Sequence, residues 1–437
     1  MDRLQKYREA FRALPNGCTG AEVSARFVER MSVSGQKGDT SGCEATESNA
    51  LFLRVNAGGT GTVYTESLED DPTKLLLKAT ENAKSIPGGV EQPLKTGRRE
   101  RPSGEKEQLR SPQELRLLTQ ELSLWEEIER CTVSQEQQTV CVLNTNGVEI
   151  SHTATICEIE LSVCGKGEDN FKTYHIARNR FSDFDIPNLL RQIRQECAWE
   201  HDELPYMKLK SGRYRAVVSN AVVINIMNTA WQLFAQRLIN SGKSPFSVGM
   251  TVGNSVFSVV DAAIMPEGGY DFSLDAEGVR GSTENFLVKD GVMCETLRTL
   301  ADGNSTGNAG RDDLLSGMIH TEVISIPRNI SIVAGSKLPE ELLAEMGTGI
   351  HLTYSMDEFH STNITEGTFT IPCGGVYYEN GKPVGRVQQM NMYGKFSDLF
   401  TAVEAVGNDT QMRPMDTYRS YCFGGPSLLV NGVQFTM

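Results

Sequence analysis

The 437-residue sequence contains no apolar run of about 18 residues, the length a membrane-spanning helix needs, so no membrane partner is expected. It has no C-x-x-C pair, no fixed-period repeat and no low-complexity tract. Ten cysteines lie scattered along a chain too long to depend on disulfide staples, and reduced, buried thiols are expected. The opening MDRLQKYREAFRALPNG lacks the apolar core of a secretory peptide, which leads to an expected cytoplasmic location. The N-x-S/T matches at Asn304, Asn329, Asn363 and Asn408 then carry little meaning. Positive charge is also short: 42 Lys and Arg against 56 Asp and Glu, a formal charge of −14. Such a chain repels phosphate backbones at long range, so a nucleic-acid partner is not expected.

What is present suits a soluble globular protein of two large domains or three smaller ones. Leu4, Tyr7, Phe11 and Leu14 share one helical face, which Pro15 and Gly17 end. Strand-like text follows from Ala21 and at 50–55, with Gly58, Gly59 and Gly61 marking a turn before Val63. Asp71 can cap a helix whose first turn holds Pro72. Residues 95–110 are charged and turn-forming and read as an exposed loop. Ser111-Pro-Gln-Glu114 is a capping box opening another helix. Strands then fill 131–178, with Asn144-Thr-Asn-Gly147 as a hairpin signal, and 187–200 is amphipathic.

These patterns predict an α+β fold in two parts. Residues 1–205 form an N-terminal α+β domain with an antiparallel sheet. Residues 206–437 form a C-terminal, β-rich, barrel-like antiparallel domain. The second part has one long helix, 221–240, with Val223, Ile226, Met227, Ala230, Leu233 and Phe234 at helical spacing. Two further helices are expected, at 339–346 and 396–406.

Several stretches, taken in order, resemble one family. They are Leu53-Arg-Val55 with Gly58-Gly-Thr-Gly61, Phe272-Ser-Leu-Asp275-Ala-Glu277-Gly278, and Asn304-Ser-Thr306-Gly307-Asn308-Ala-Gly-Arg311. Ile364-Thr-Glu-Gly367, Tyr378-Glu-Asn380-Gly381, Val406-Gly-Asn408-Asp409 and Pro426-Ser427-Leu428 continue the series over nearly the whole chain. The set resembles the TldD/TldE (PmbA) family, known as modulators of DNA gyrase. The resemblance implies a TldD–TldE heterodimer acting as a zinc metalloprotease on unfolded peptides, including the leader of a microcin precursor. It also implies that the zinc sits in TldD, on a helix-borne H-E-x-x-x-H completed by a downstream cysteine, and that TldE lacks this motif.

Zinc catalysis needs imidazole, thiolate or carboxylate ligands on one face, an open position and a nearby base. Aligned backwards from Gly242-Lys-Ser244, the motif positions fall on Met227 through Gln232. Met227 and Gln232 stand where the histidines would be and Asn228 where the glutamate would be, so no metal and no catalytic residue is expected here. A slip in the alignment does not help, because no histidine lies between His201 and His320. His351 and His360, which flank Asp357 and Glu358, are a weak second candidate. Cys422 lies near the family's cysteine ligand but has no histidine partner and reads as an ordinary thiol. Gly303-Asn-Ser-Thr-Gly-Asn-Ala-Gly310 lacks the lysine of a phosphate loop. By resemblance Asn304, Thr306, Gly307, Asn308 and Cys422 are peptide-path candidates.

The resulting expectation is a TldE-like, metal-free subunit of such a peptidase, with zinc in a TldD-like partner and an unfolded peptide as substrate. The alternatives are a homodimer that binds peptides without chemistry, or a metallopeptidase with unrecognised ligands.

Overall fold

A computed structural model describes residues 2–85, 88–104, 109–164, 171–199, 204–265, 270–312, 319–414 and 421–436. The first part is a six-stranded antiparallel sheet. Its strands are β1 (Gly20–Gln36), β2 (Asp39–Asn56), β3 (Thr60–Thr65), β4 (Ile128–Asn144), β5 (Glu149–Cys164) and β6 (Phe171–Arg178). They lie in the order β3-β2-β1-β4-β5-β6. The hairpin signal at 144–147 does join β4 to β5.

Alternation sorts each strand into two faces. Ala21, Val23, Ala25, Leu51, Leu53, Val55, Cys141 and Leu143 pack under α1 (Gln5–Ala10) and α2 (Pro72–Lys84). Val33, Cys131, Val133, Ile159 and Leu161 pack under α3 (Pro112–Ser123) and α4 (Ile186–Trp199). The caps read from sequence are formed: Asp71 accepts from the Thr73 N–H at 2.9 Å, and Ser111 and Glu114 complete the capping box. Gly61 serves more than a turn. A Cβ there would lie 2.0 Å from the Ala79 carbonyl oxygen, so α2 can cross β3 only over glycine.

The opposite face carries Glu22, Ser24, Arg54, Gln138, His152 and Glu158 at alternate positions, and all six are buried. This polar face packs on the second part of the chain. Tyr270, Phe272, Met412 and Cys422 meet Ile156 and Ala177 there, and Leu274 meets Val142 and Ile150.

In the second part, β7 (Gly212–Val218) pairs with Gly349–Ser355 and Leu428–Thr436. Lys382–Lys395 pairs with Leu428–Thr436 and with Thr368–Glu379, and Gly349–Ser355 pairs with Thr368–Glu379. These five strands therefore close into a barrel. A second six-stranded sheet runs from Val292–Met293 across Val259–Ala262 and Asn329–Ile332 to Gln411–Pro414. The helix α5 (Asn220–Ala230) lies between them. Its Val222, Val223, Ile226, Met227 and Ala230 share one core with Ile350, Leu352 and Met390 of the barrel and with Val259, Ile330 and Phe423 of the sheet.

Two local expectations need correction. The 221–240 helix is not continuous. α5 ends at Ala230, Trp231–Phe234 is a 3-10 turn, and Ala235 is extended with ψ 117° before the short helix Gln236–Asn240. The cause is tertiary: the Gln236 N–H donates to the Leu297 carbonyl at 3.0 Å and the Leu297 N–H to the Phe234 carbonyl at 2.9 Å. Similarly, the 396–406 helix stops at Thr401, because Val403–Val406 joins Leu428–Val430 as a strand. The 95–110 stretch is, over its described residues, the largely exposed loop expected, tied along β5 where the Glu100 and Ser103 N–H groups bond its carbonyls at 2.8 and 3.0 Å. Residues 105–108 lie outside the described residues. No described helix is long and apolar enough to cross a membrane.

Candidate functional site

Most of the family-like stretches converge on two places; Ile364–Gly367 and Tyr378–Gly381 lie at neither. The first is the polar seam between the sheet and the second part. Arg54 is 1% exposed; its Nη2 donates to Glu22 Oε1 at 2.7 Å and its Nη1 to Glu277 Oε1 at 3.2 Å. Glu277 also accepts the Leu300 N–H at 2.8 Å. Asp275 accepts three main-chain N–H groups, from Glu277, Val279 and Ala309, at 2.9, 2.7 and 3.1 Å. Asp261 accepts from Asn308 Nδ2 at 2.7 Å and from the Arg328 N–H at 2.6 Å.

Burial dominates the electrostatics of this seam. It pushes the Glu277 carboxyl up to about 7 against the pull of Arg54, and Asp261 up to about 6. Arg311, buried and repelled by Arg54, is lowered to about 10. A second knot holds Glu158, which accepts from Ser134 at 2.9 Å and from the buried Tyr270 hydroxyl. His152 Nε2 lies 2.9 Å from Asp271. A cavity of about 80 Å³ remains between the parts, lined by Arg26, His152, Asp271, Arg311 and Arg328 among others.

The second place is a crevice of about 660 Å³ at the start of α5. Asp409 accepts the Ser427 N–H at 2.9 Å and hydroxyl at 2.7 Å. Ser427 Oγ in turn accepts the Asn220 N–H at 3.1 Å, and Asn220 Nδ2 donates to the Asp409 carbonyl at 3.0 Å. This closed circuit pins the first residue of α5. His351 and Thr353 form the barrel side of the crevice, and Asn188 and Arg191 of α4 the other.

The motif positions lie further along α5. Met227 is fully buried in the apolar core. Asn228 is half-buried; its Oδ1 accepts from the Tyr421 hydroxyl at 3.3 Å, and its side chain bonds Glu358. Burial raises the Glu358 carboxyl. Gln232 falls beyond the end of α5, in the 3-10 turn. His351 is buried in the barrel wall, whereas the His360 imidazole and Asp357 pair on the surface at 2.5 Å. Among the described residues, no three His, Cys, Asp or Glu side chains cluster as a metal site.

The peptide-path candidates separate. Asn304 is exposed and Thr306 half-buried, while Gly307, Asn308 and Cys422 are buried. Thr306 Oγ1 donates to Asn308 Oδ1 at 2.6 Å, so this loop braces the side chain that holds Asp261. Burial raises the Cys422 thiol well above its ordinary value. Sequence reasoning had not singled out Glu22, Asp261, Glu277 and Arg328 as a set. For Glu22 and Asp261 the signal was a lone charge inside an apolar strand, as in Val259-Val-Asp261-Ala; Glu277 and Arg328 lie outside strands and carry no such signal.

Comparison with known proteins places this architecture. Residues 211–437 match the model of the PmbA/TldA metallopeptidase C-terminal domain. The chain is 30% identical over 145 residues to the metalloprotease PmbA of Escherichia coli O157:H7, covering 32% of this chain and 28% of that protein. It is 24% identical over 280 residues to the metalloprotease PmbA homolog of Haemophilus influenzae, covering 62% and 58%. The chain thus aligns with less than two thirds of the length of either relative. In fold it is similar to TldE from Thermococcus kodakarensis, with TM-score 0.77 and 16% identity over 100% of both chains. A Thermotoga maritima protein described as a modulator of a DNA gyrase gives TM-score 0.76 and 20% identity over 99% of this chain and 98% of that one. The match over the second part, on a fold shared end to end, shows that this chain belongs to the TldD/TldE (PmbA) family.

Proposed function

We propose that this chain is the metal-free, TldE-like subunit of a TldD/TldE-type metalloprotease that acts on unfolded peptides. One observation carries the reading: the donor chemistry at Met227, Asn228 and Gln232. Zinc in a hydrolytic site takes imidazole, thiolate or carboxylate. Here a core thioether and two amides stand instead, and one amide is held by Tyr421 and Glu358. Geometry adds to chemistry, since the break after Ala230 takes position 232 off the α5 helix. These residues do not fit a zinc ion, and no hydrolytic step is assigned to them.

In this reading the zinc and its activated water belong to a TldD-like partner, in the cytoplasm. This chain supplies walls: the rigid barrel, the α5 helix pinned through Asp409 and Ser427, and the sheet locked on through Arg54. The division into 1–205 and 206–437 goes with it, as the family model that begins at residue 211 supports. The test is to mix the purified chain with a TldD-like protein. Co-elution on size exclusion and a gain in peptide cleavage that a chelator abolishes are expected. Stoichiometric zinc in this chain alone, or chelator-sensitive cleavage by it alone, would refute the reading.

A further inference from the structure

We infer that the outer edge of β2 is a docking strand for an extended peptide carrying two basic residues three positions apart. β1 pairs with β2 from end to end, but β3 covers only Leu51–Asn56. Over 39–50 the outer side of β2 bonds no other main chain among the described residues. The register slips between Ser34 and Gly35, which leaves Gly42–Ala50 as the regular stretch. Nine extended residues span about 30 Å. Side chains from Asp39 to Ser48 are all exposed.

Bare edges of this length invite strand addition, and proteins ordinarily blunt them with lysine, proline or a covering element. Gly42-Cys-Glu-Ala-Thr-Glu-Ser-Asn-Ala50 has no lysine, arginine or proline. Its only charges are Glu44 and Glu47. Three positions apart, they point to opposite faces of the strand. Among the described residues Glu47 has Arg3 at 3.8 Å. An added strand gains affinity from main-chain bonds and selectivity from cross-strand charge pairs. The residues opposite Glu44 and Glu47 are themselves three apart, which sets the K-x-x-K spacing. A second copy of this acidic segment would instead set like charges against each other. The site deepens the peptide-handling reading by naming a substrate class.

The probe is a fluorescein-labelled nine-residue peptide of Thr and Val with two lysines three apart, followed by fluorescence anisotropy with the full chain. Binding is expected that weakens with salt and falls about tenfold when glutamates replace the lysines. The double variant Glu44→Lys, Glu47→Lys should reverse that preference. Alternate amides face β1 and open solvent. Of Ala45→Pro and Thr46→Pro, the variant that keeps the wild-type melting temperature should therefore lose binding. No binding at millimolar peptide, equal binding of both peptides, or binding that survives both proline variants overturns the inference. So does a dimer that either proline variant dissolves and that ignores the peptide. Complex formation with a TldD-like protein is scored separately, so either idea can fail alone.

Discussion

Replacing Arg54 by methionine should be among the most damaging single changes in the molecule. The guanidinium is 1% exposed and bonds Glu22 at 2.7 Å and Glu277 at 3.2 Å, across the seam between the two parts of the chain. Methionine keeps volume but leaves two buried carboxylates without their cation. Removing one partner of a buried ion pair costs about 3–5 kcal/mol, whereas replacing the whole group by neutral side chains is often close to neutral. Urea unfolding followed by circular dichroism should show a loss of about 3–5 kcal/mol for Arg54→Met at pH 7.5. The triple variant Glu22→Gln, Arg54→Met, Glu277→Gln should recover part of it and not all, because buried Arg311, 3.9 Å from Glu22, then loses that carboxylate. The pH dependence has a definite sign. Burial already holds Glu277 at about 7 in the fold, above its ordinary 4.5, so the fold binds the extra proton between those values. That contribution is full below 4.5 and is lost as pH rises through about 7. Without Arg54 the carboxyl rises further, and the deficit of the variant should be smaller at pH 5 than at pH 8. A loss under about 1 kcal/mol, or a deficit that does not change with pH, would refute the view that this network closes the seam.

Other consequences are open to direct measurement. Gly61→Ala should cost about 2–3 kcal/mol, because the new methyl meets the α2 backbone. Gly58→Ala, at φ 74° with open space around it, should cost only about 1–2 kcal/mol; thermal melts giving the reverse order would contradict the packing argument. Ser427→Ala removes the hydroxyl between Asp409 and the Asn220 N–H and should cost about 1–2 kcal/mol, read in the same melts. Among the described free thiols, exposed Cys43 and Cys294 should react fast with a disulfide reagent. Buried Cys131 and Cys373, each pushed up to about 12, should react only on unfolding, and labelling with peptide mapping distinguishes these cases.

The sequence by itself determined what depends on neighbours along the chain. Asp71-Pro72 and Ser111–Glu114 specify their helix starts, and Asn144–Gly147 its hairpin, because caps and turns are bonds among residues a few positions apart. The α+β class, the ordered family stretches and the residue types at 227, 228 and 232, a thioether and two amides, were equally legible, since residue identity needs no folding. Tertiary structure decided whatever depends on distant partners. Glu22 and Arg54 look like solvent-facing charges on alternating strands until the second part of the chain covers them. The helix predicted to reach residue 240 breaks after 230 because Leu297 competes for its backbone. The open edge of β2 exists because β3 ends at Thr65, and no local pattern records where a neighbouring strand stops.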